Sequence, residues 1–341
     1  MSRLTGGESL VAQRITVLVT GGHGFIGSHL AFGLALRRFR VVVADRIRRE
    51  TERVESVQLD VTDFGRCVEV VRTVRPDVVF HLAASSTIDS AFADPRDSLM
   101  TNVCGTMNVL EAVRTTDLGL RRFVLASTDK VYGELTTDSY REDSALHARG
   151  VYDVGKLSAD QLTRMYGDEL GVPVSVLRLC NVFGPGDPHT GSRIVPRSLS
   201  RMFDPVRPLP PVLYEPSIAH GRDYVYVTDV VRALELVAFS PAACGEVFNM
   251  VPTAHRTTLD LVEEMMEKAE RACEPHDPDR AAAIRKNGYE VVSGNGSARA
   301  LARQHCDGTK LGSLLGFRNL VSMSEGLDRT VMAFMQDCGI G

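Results

Sequence analysis

The sequence predicts an α/β fold, a doubly wound parallel sheet followed by a smaller C-terminal lobe. Short apolar, β-rich runs alternate with helical patterns along residues 15–181, which is the order of a parallel sheet with right-handed crossovers. After Asn181 the alternation stops, and proline, glycine and arginine become frequent. We therefore expect a sheet domain over 15–181, a lobe over 182–341 that returns segments to the sheet, and a flexible N-terminal tail over 1–14.

The first strand–helix–strand unit carries the most informative motif. An apolar strand at 15–20 leads into a glycine turn and a helix, and a second strand at 41–44 ends on Asp45. Glycines let the backbone approach a pyrophosphate closely, and the helix N-terminus supplies N–H donors. A carboxylate at Asp45 can accept a hydrogen bond from a ribose hydroxyl, which favours NAD, although Arg46, Arg48 and Arg49 could meet the extra phosphate of NADP. The predicted cofactor contacts here are Gly21, Gly24, Phe25, Ile26, Gly27 and Asp45.

The remaining elements of the sheet domain follow from hydrophobic periodicity. Runs without polar alternation are typical of strands buried on both faces of a parallel sheet. Gly171, before Pro173, stops the last of the predicted helices. We expect strands at 54–59, 77–81, 122–126 and 174–179, and helices at 64–74, 97–115 and 151–170.

The second half is predicted to be more irregular. Five prolines between 205 and 216 exclude a long helix or a central strand there. The segment 271–287 is polar and contains two prolines, and we interpret it as an exposed loop or flap. Helices are expected near 194–202, 228–239, 257–272 and 323–335, and strands near 247–250 and 289–292.

Composition excludes several classes of function. The net charge of −4 gives no basic field for nucleic acid. No apolar run approaches the ~18 residues of a membrane span. The seven cysteines are dispersed, which favours reduced thiols and a cytoplasmic protein. The nine histidines have no metal-ligand spacing, so no metal is expected, and His81 is interpreted as a hydrogen-bonded core residue.

Candidate catalytic residues lie after the fifth strand and on the next helix. Tyr152 and Lys156 are four apart and share one helix face, where an ammonium group can stabilise phenolate and lower the tyrosine pKa. Thr128, Asp129 and Lys130 follow the fifth strand, at the edge where doubly wound sheets bind ligands.

These motifs resemble the extended short-chain dehydrogenase/reductases that act on nucleotide sugars. The resemblance covers about residues 15–335 and is carried by these motifs: TGGHGFIG (20–27), LDVTD (59–63), HLAASS (81–86), TNVCGTMNVLEA (101–112), STDKVYG (127–133), YDVGK (152–156), RLCNVFGPGD (178–187), GRDYVYVTDV (221–230) and DGTKLGSLLGF (307–317).

The resemblance implies a Rossmann domain that binds NAD, and a substrate-binding lobe. It implies a catalytic set of Thr128, Tyr152 and Lys156, with Tyr152 as the base for a sugar hydroxyl. It also implies a homodimer in which two helices of each subunit form a four-helix interface, and Leu99, Val109, Leu157 and Met165 on helices 97–115 and 151–170 are apolar residues that need cover. Further contacts implied for the cofactor are Asp60, Val61, Leu82, Ala83 and Ala84, with Tyr152 and Lys156, and for the nucleotide sugar Ser86, Asn181, Arg193 and Arg222. As single residues, Arg193 and Arg222 could equally form surface ion pairs.

The Asp129-Lys130 pair points within this family to a 4,6-dehydratase. Similar epimerases usually have small or apolar residues there, whereas CDP-glucose 4,6-dehydratases have Asp-Lys and the dTDP-glucose enzymes have Asp-Glu. GRDYVYVTDV instead resembles dTDP-sugar enzymes, so the nucleotide base stays open. Asp129 is the candidate acid for water loss and Lys130 the candidate for the H5 step, with the two roles exchangeable. The alternatives are a C4-epimerase, which needs no such pair, and a non-catalytic NAD-binding regulatory protein.

Overall fold

A seven-stranded parallel sheet forms the centre of the molecule. The computed structural model describes residues 14–49, 51–293 and 301–340; the predicted tail lies outside these residues except for Arg14. Starting from one edge, the strand order is β3-β2-β1-β4-β5-β6-β10, and every neighbouring pair is parallel. The order reverses between β1 and β4, as in doubly wound folds. The strands are β1 (Thr16–Thr20), β2 (Arg40–Asp45), β3 (Glu55–Gln58), β4 (Val78–His81), β5 (Arg122–Thr128), β6 (Val174–Leu179) and β10 (Val247–Asn249).

Helices cover both faces of this sheet, which confirms the predicted fold class. Along β1, Val17 and Val19 point into one apolar cluster and Leu18 into the other, because successive strand residues face opposite sides. The first cluster contains α1 and α8, and the second contains α2, α5 and α6. These helices are α1 (Phe25–Leu36), α2 (Phe64–Val74), α5 (Thr106–Thr116), α6 (Val151–Asp168) and α8 (Val227–Phe239).

The helix predicted over 97–115 is interrupted. It consists of α4 (Pro95–Leu99), a π-helical segment (Met100–Gly105) and α5, and the prediction missed the preceding α3 (Ile88–Ala93). Within the π segment the Asn102 side chain accepts from the Ser85 backbone N–H at 2.9 Å and donates to the Ser85 carbonyl at 3.2 Å. π segments often occur at functional sites, and Thr101 of this one faces the cleft described below.

The exposed flap predicted over 271–287 is wrong. Residues 278–287 form helix α10 (Pro278–Asn287). Asp277 caps it by accepting from the Arg280 backbone N–H at 2.9 Å, and proline is well suited to the first helical position. Ala281 and Ile284 are buried against the lobe core, so the polar residues occupy the outer face of a packed helix.

The C-terminal half forms a smaller lobe around its own apolar cluster. Two small sheets, β11-β9-β7 and β12-β8, lie in it, while α8 and β10 return to the main sheet. No helix in the described part of the chain is long and apolar enough to cross a membrane. The remaining elements are β7 (Asn181–Phe183), α7 (Ile194–Met202), β8 (Val212–Tyr214), β9 (Gly221–Tyr226), β11 (Ala254–Thr257), α9 (Thr258–Cys273), β12 (Glu290–Val292), α11 (Thr309–Leu315) and α12 (Met323–Asp337), with short 3-10 turns at Asp129–Tyr132, Glu215–Ser217 and Pro241–Ala243.

His81 is the buried core histidine that the sequence predicts. Its Nδ1 lies 2.8 Å from the Thr20 hydroxyl and its Nε2 lies 3.0 Å from the Thr106 hydroxyl. The ring therefore joins β1, β4 and α5. Burial, with the nearby Lys156 charge, lowers the pKa of His81 to about 3.

This lowered pKa predicts a measurable acid sensitivity. Below pH 6.5 the unfolded chain protonates His81 while the folded protein does not, so stability falls as pH drops from 6.5 towards 3. The contribution has a slope of about 1.4 kcal/mol per pH unit. In urea unfolding between pH 7 and 4.5, His81→Asn should lower stability at pH 7 and flatten the pH dependence. His276→Asn, at an exposed turn position, should keep the wild-type slope; equal slopes for all three proteins would contradict the assignment.

Candidate active site

A cleft of about 800 Å³ opens at the carboxyl ends of the central strands. It collects residues from the glycine turn, from the ends of β2, β4, β5 and β6, from α6 and from the lobe. Eighteen of the predicted site residues line it, and Asp129 and Arg222 do not. The lining residues from the prediction are Gly21, Gly24, Phe25, Ile26, Gly27, Asp45, Asp60, Val61, Leu82, Ala83, Ala84, Ser86, Thr128, Lys130, Tyr152, Lys156, Asn181 and Arg193.

The glycine turn leaves no room for side chains. Gly21 has a φ of +67°, and a Cβ there would lie 2.7 Å from the Ala83 Cα. A Cβ on Gly27 would lie 2.3 Å from the Gly21 carbonyl oxygen, so helix α1 starts directly against the turn. This exposes the first turn of the helix to the cleft, and such an arrangement fits a pyrophosphate.

Two acidic residues, Asp45 and Asp60, line the cleft at the end that contains the glycine turn. Asp45 accepts from the His23 backbone N–H at 3.1 Å, which orients its carboxylate beside the glycine turn. Asp60 accepts from the backbone N–H and hydroxyl of Thr62 at 2.9 and 2.7 Å, and the backbone bond is the main cause of its lowered pKa. Arg46 and Arg49 also line the cleft beside Asp45.

Thr128, the last residue of β5, forms a connected group with Asp129 and Lys130. The Asp129 Oδ1 accepts from the Thr128 hydroxyl at 3.2 Å and from the Lys130 ammonium at 3.5 Å. The Asp129 side chain is fully buried, and its Oδ2 has no hydrogen-bond partner among the described residues. Burial raises the pKa of Asp129, against the opposing effect of the Lys130 charge. A carboxyl group with a raised pKa is a proton donor available closer to neutral pH.

Tyr152 and Lys156 line the cleft from helix α6. The Lys156 ammonium donates to the Ala126 carbonyl at 2.6 Å, and burial lowers its pKa to about 8. Burial also raises the pKa of Tyr152, and the positive charges that oppose this rise are those of Lys130 and Arg193. The predicted lowering of the tyrosine pKa by Lys156 therefore does not describe this arrangement.

A buried ion pair supports the catalytic strand from behind. The Arg178 guanidinium donates to both carboxylate oxygens of Asp160 at 2.9 and 3.0 Å, and both side chains are fully buried. Asp160 also accepts from the Ser127 hydroxyl at 2.8 Å. Arg178 donates to the Tyr132 hydroxyl at 2.8 Å, which in turn donates to Asn249 at 2.7 Å. The network thus joins α6, β5, β6 and β10.

The other end of the cleft is polar and positively charged. The Ser86 hydroxyl lies 3.2 Å from the His189 Nε2. Arg193 donates to Asp187 at 3.3 Å and to the Ser86 carbonyl at 3.4 Å, and 30% of its side chain stays exposed. Asn181 donates to the Asp223 carbonyl at 3.0 Å. Because its guanidinium still has exposed N–H donors, Arg193 can bind an anionic group as well.

Arg222 has a different place from either of the two predicted. Its guanidinium donates to the backbone carbonyls of Gly221 at 2.8 Å, Ala302 at 3.0 Å and Leu301. It therefore holds the segment starting at residue 301 instead of lining the cleft or forming a surface ion pair. Its charge still opposes the raised pKa of Asp129.

The sequence interpretation missed two groups that line the cleft. His189 and Ser192 lie between two motif residues, Asp187 and Arg193. Their position between these two polar residues was the sequence signal that could have identified them. Thr87, Ile88 and Asp89 also line the cleft, and finding them required the short helix α3, which has no clear periodicity.

The sequence and the fold are similar to those of known proteins. A family model described as the NAD dependent epimerase/dehydratase family matches residues 17–250. The chain is 28% identical over 342 residues to a dTDP-glucose 4,6-dehydratase of Neisseria meningitidis, covering 94% of this chain and 93% of that protein. The DesIV dTDP-glucose 4,6-dehydratase of Streptomyces venezuelae, solved with NAD bound, has a TM-score of 0.81 and 28% identity over 95% of this chain and 98% of its own. A UDP-glucose 4-epimerase of Thermotoga maritima, solved with UDP-glucose, has a TM-score of 0.82 and 27% identity over 94% and 99%.

Gly27 provides a test of the cofactor part of the cleft. Gly27→Ala places a methyl group 2.3 Å from the Gly21 carbonyl oxygen and should weaken NAD binding at least tenfold, because the turn must open. Gly33→Ala on the same helix would meet Val231 at an ordinary 3.6 Å and should bind as the wild type does. Calorimetric titration with NAD measures both, with circular dichroism as a check of folding. Unchanged affinity in a folded Gly27→Ala variant would contradict this placement of the cofactor.

Proposed function

Because the chain belongs to the NAD-dependent epimerase/dehydratase family, we propose that it is a nucleotide-sugar 4,6-dehydratase, which converts an NDP-hexose to an NDP-4-keto-6-deoxyhexose. The observation that carries the proposal is the Thr128–Asp129–Lys130 group. It places an ammonium in the cleft that holds Tyr152 and Lys156, and a buried carboxyl 3.5 Å from that ammonium. The dehydratase named above supports the same activity. Its name gives dTDP-glucose, whereas the Asp-Lys pair and the segments 140–143, 186–187 and 192–196 resemble CDP-glucose enzymes.

The residues of the glycine turn fit an NAD molecule. The turn has no space for a Cβ at Gly21 or Gly27, and Asp45 stands at the end of β2 where a ribose hydroxyl needs an acceptor. Gly21, Gly27 and the first turn of α1 would hold the pyrophosphate, and Asp60 would border the adenine. When bound, NAD supplies the hydride acceptor for C4 of the sugar and the hydride donor for C6.

Tyr152 and its neighbours carry out the first proton transfer in this proposal. Tyr152 takes the proton of the C4 hydroxyl, and the Lys130 and Arg193 charges, which oppose its raised pKa, stabilise the phenolate. Thr128 orients the same hydroxyl. Lys156 contributes a positive charge near Tyr152. Because its pKa of about 8 lies close to neutrality, small changes in its surroundings can change its protonation.

Asp129 and Lys130 then carry the elimination. The 4-ketone acidifies H5, a base removes H5, and an acid protonates the departing 6-hydroxyl as water. The raised pKa of Asp129 suits the acid, and Lys130 remains the candidate for the H5 step once it is neutral. Asp129 does not line the cleft, so its proton reaches the sugar through the Thr128 hydroxyl or the Lys130 amine, which both contact its Oδ1.

A C4-epimerase is the second candidate, favoured by the structural likeness to the UDP-glucose 4-epimerase. An epimerase needs the cofactor and the set of Thr128, Tyr152 and Lys156. It has no water to eliminate and therefore no use for Asp129 and Lys130. The two activities differ in the product, which is 18 mass units lighter than the substrate for the dehydratase and equal in mass for the epimerase.

A homodimer through helices α4, α5 and α6 is also part of the proposal. These helices pack side by side and carry exposed apolar side chains, namely Leu99, Met107, Val154 and Met165, at 37–40% exposure. Of the residues predicted to need cover, Val109 is already buried in the sheet cluster. Leu157 is partly buried against an apolar cluster made of Val131, Tyr132, Leu135, Tyr140 and Cys306.

We place the protein in the cytoplasm, and the cysteines support this. All seven lie in the described part of the chain and are free thiols. Free, dispersed cysteines suit a reducing compartment.

Substitutions of Asp129 and Lys130 separate the two candidate activities. Asp129→Asn and Lys130→Met should still bind NAD and the sugar nucleotide and should still produce reduced cofactor, seen as transient absorbance. Each should lose water from the sugar ~10²–10⁴-fold more slowly, because an acid or base of the elimination is missing. Tyr152→Phe is the matched control and should give no reduced cofactor. A panel of NDP-hexoses with mass spectrometry measures the product; full dehydration by both single variants would refute the assignment.

The dimer face is tested by charge. Met107→Glu combined with Met165→Glu should convert a dimer to a monomer in light scattering at micromolar concentration, because buried carboxylates without partners are costly. Leu320→Glu, which is 57% exposed in the other half of the molecule, should remain dimeric. A wild-type protein that is already monomeric would remove this part of the proposal.

A further inference from the structure

Three residues that the sequence keeps apart meet at the edge of the small lobe sheet. Asp223 of β9 and His255 of β11 are direct cross-strand partners in the antiparallel pair. His305 comes from the segment 301–308 and is 82 positions from Asp223. No local motif connects residues so far apart, so a metal site could not be predicted here from sequence.

Both imidazoles are aimed at one carboxylate oxygen. The Nδ1 atoms of His255 and His305 lie 2.8 and 2.9 Å from the Asp223 Oδ1, and the candidate ligand atoms of the three residues all lie within 4.8 Å of one another. The two rings meet edge to face, with centroids 5.3 Å apart. Three donor atoms from three separate chain segments therefore converge on one point.

The surroundings position this cluster and leave one side open. Asp223 is fully buried, and its second oxygen accepts from the Cys306 backbone N–H at 2.6 Å, which fixes the carboxylate from behind as an outer partner does at metal sites. A Cβ on Gly221 would lie 2.4 Å from the His255 Nε2, so the bare backbone makes room for the ring. The side chains of His255 and His305 are 46% and 44% exposed, which gives an ion and its water ligands access.

We propose that Asp223, His255 and His305 form a binding site for a divalent transition-metal ion of the Zn²⁺ type. Two imidazoles and one carboxylate suit zinc, cobalt, nickel or copper, whereas magnesium and calcium prefer oxygen ligands throughout. Tetrahedral zinc with bonds of about 2.0–2.1 Å places its ligand atoms about 3.3 Å apart. The nitrogen–oxygen distances here would have to open by roughly half an ångström, which side chains that are half exposed can accommodate. On binding, each neutral imidazole ligates through Nδ1 and carries its proton on Nε2, and water completes the coordination of the ion.

Such an ion would fix the segment 301–308 onto the lobe. This segment accepts hydrogen bonds from Arg222 through the carbonyls of Leu301 and Ala302. Its Cys306 is buried in an apolar cluster with Tyr132 and Tyr140. A metal at this position would therefore stiffen the packing of the segment against that cluster without belonging to the chemistry of the cleft.

The test uses the purified full-length protein after treatment with a chelator. Zn²⁺ should raise the melting temperature and compete with a chromophoric zinc indicator, because a ligand that binds only the folded state stabilises it. Co²⁺ should give the visible spectrum of a tetrahedral nitrogen–oxygen site, without a thiolate charge-transfer band. His255→Ala and His305→Ala should each weaken binding by more than the about 10–100-fold that loss of an outer-shell partner costs.

His276→Ala is the control, because this histidine is exposed in the turn between α9 and α10, and it should bind both ions as the wild type does. Absence of a Zn²⁺-dependent shift in the wild type would overturn the proposal. A thiolate band, or wild-type affinity in both cluster variants, would do the same, since the ion would then lie elsewhere. These readouts involve no turnover, so their failure is distinct from failure of the proposed dehydratase activity.

Discussion

The geometry of the active site depends on the buried ion pair between Arg178 and Asp160. Removing one partner of such a pair typically costs about 3–5 kcal/mol, because the other charge is left buried without compensation. Here the Asp160 carboxylate accepts two hydrogen bonds from Arg178 and one from Ser127. Since Ser127 precedes Thr128, and Asp160 lies one turn after Lys156 on the same helix, this pair sets the distance between the strand and the helix that carry the catalytic groups.

Burial then adjusts the proton affinities of the groups in front of that pair. Removal from water raises the pKa of the Asp129 carboxyl and of the Tyr152 hydroxyl and lowers the pKa of the Lys156 ammonium. All three shifts disfavour the charged form. The pKa of Asp129 and the pKa of Lys156 both shift towards neutrality. Groups with pKa values in this range can give or take a proton near neutral pH. The sugar nucleotide enters a site in which these three groups are held by fixed neighbours.

The regular part of this structure could be predicted from sequence, and the irregular part could not. Apolar runs and the glycine turn sufficed for the sheet and for α2 and α6. Of the eighteen cleft residues, those outside the glycine turn, Asp45 and the polar groups of β5 and α6 were implied only by the resemblance to a known family. Helix α10 was missed because its polar outer face hid the buried Ala281 and Ile284. The place of Arg222 could not be inferred because it depends on the chain returning at residues 301 and 302, a contact that no local pattern encodes. Asp129 was correctly grouped with Thr128 and Lys130. That its side chain is buried beside the cleft and does not line it depends on tertiary packing, which the sequence pattern does not show.

The return of α8 and β10 to the main sheet has a consequence for biosynthesis. The apolar face formed by Leu30 and Leu34 of α1 is completed by Val230 and Leu234 of α8, which leave the ribosome after the first part of the lobe. A nascent chain that ends near residue 181 therefore exposes the apolar face of the sheet that α8 later covers. It also leaves the edge of β6 without its partner strand β10. Exposed apolar surface and open strand edges are what make folding intermediates prone to aggregation. The N-terminal half thus depends on α8 and β10 to cover this apolar face and this strand edge. Until they have been synthesised, the incomplete sheet needs protection from aggregation.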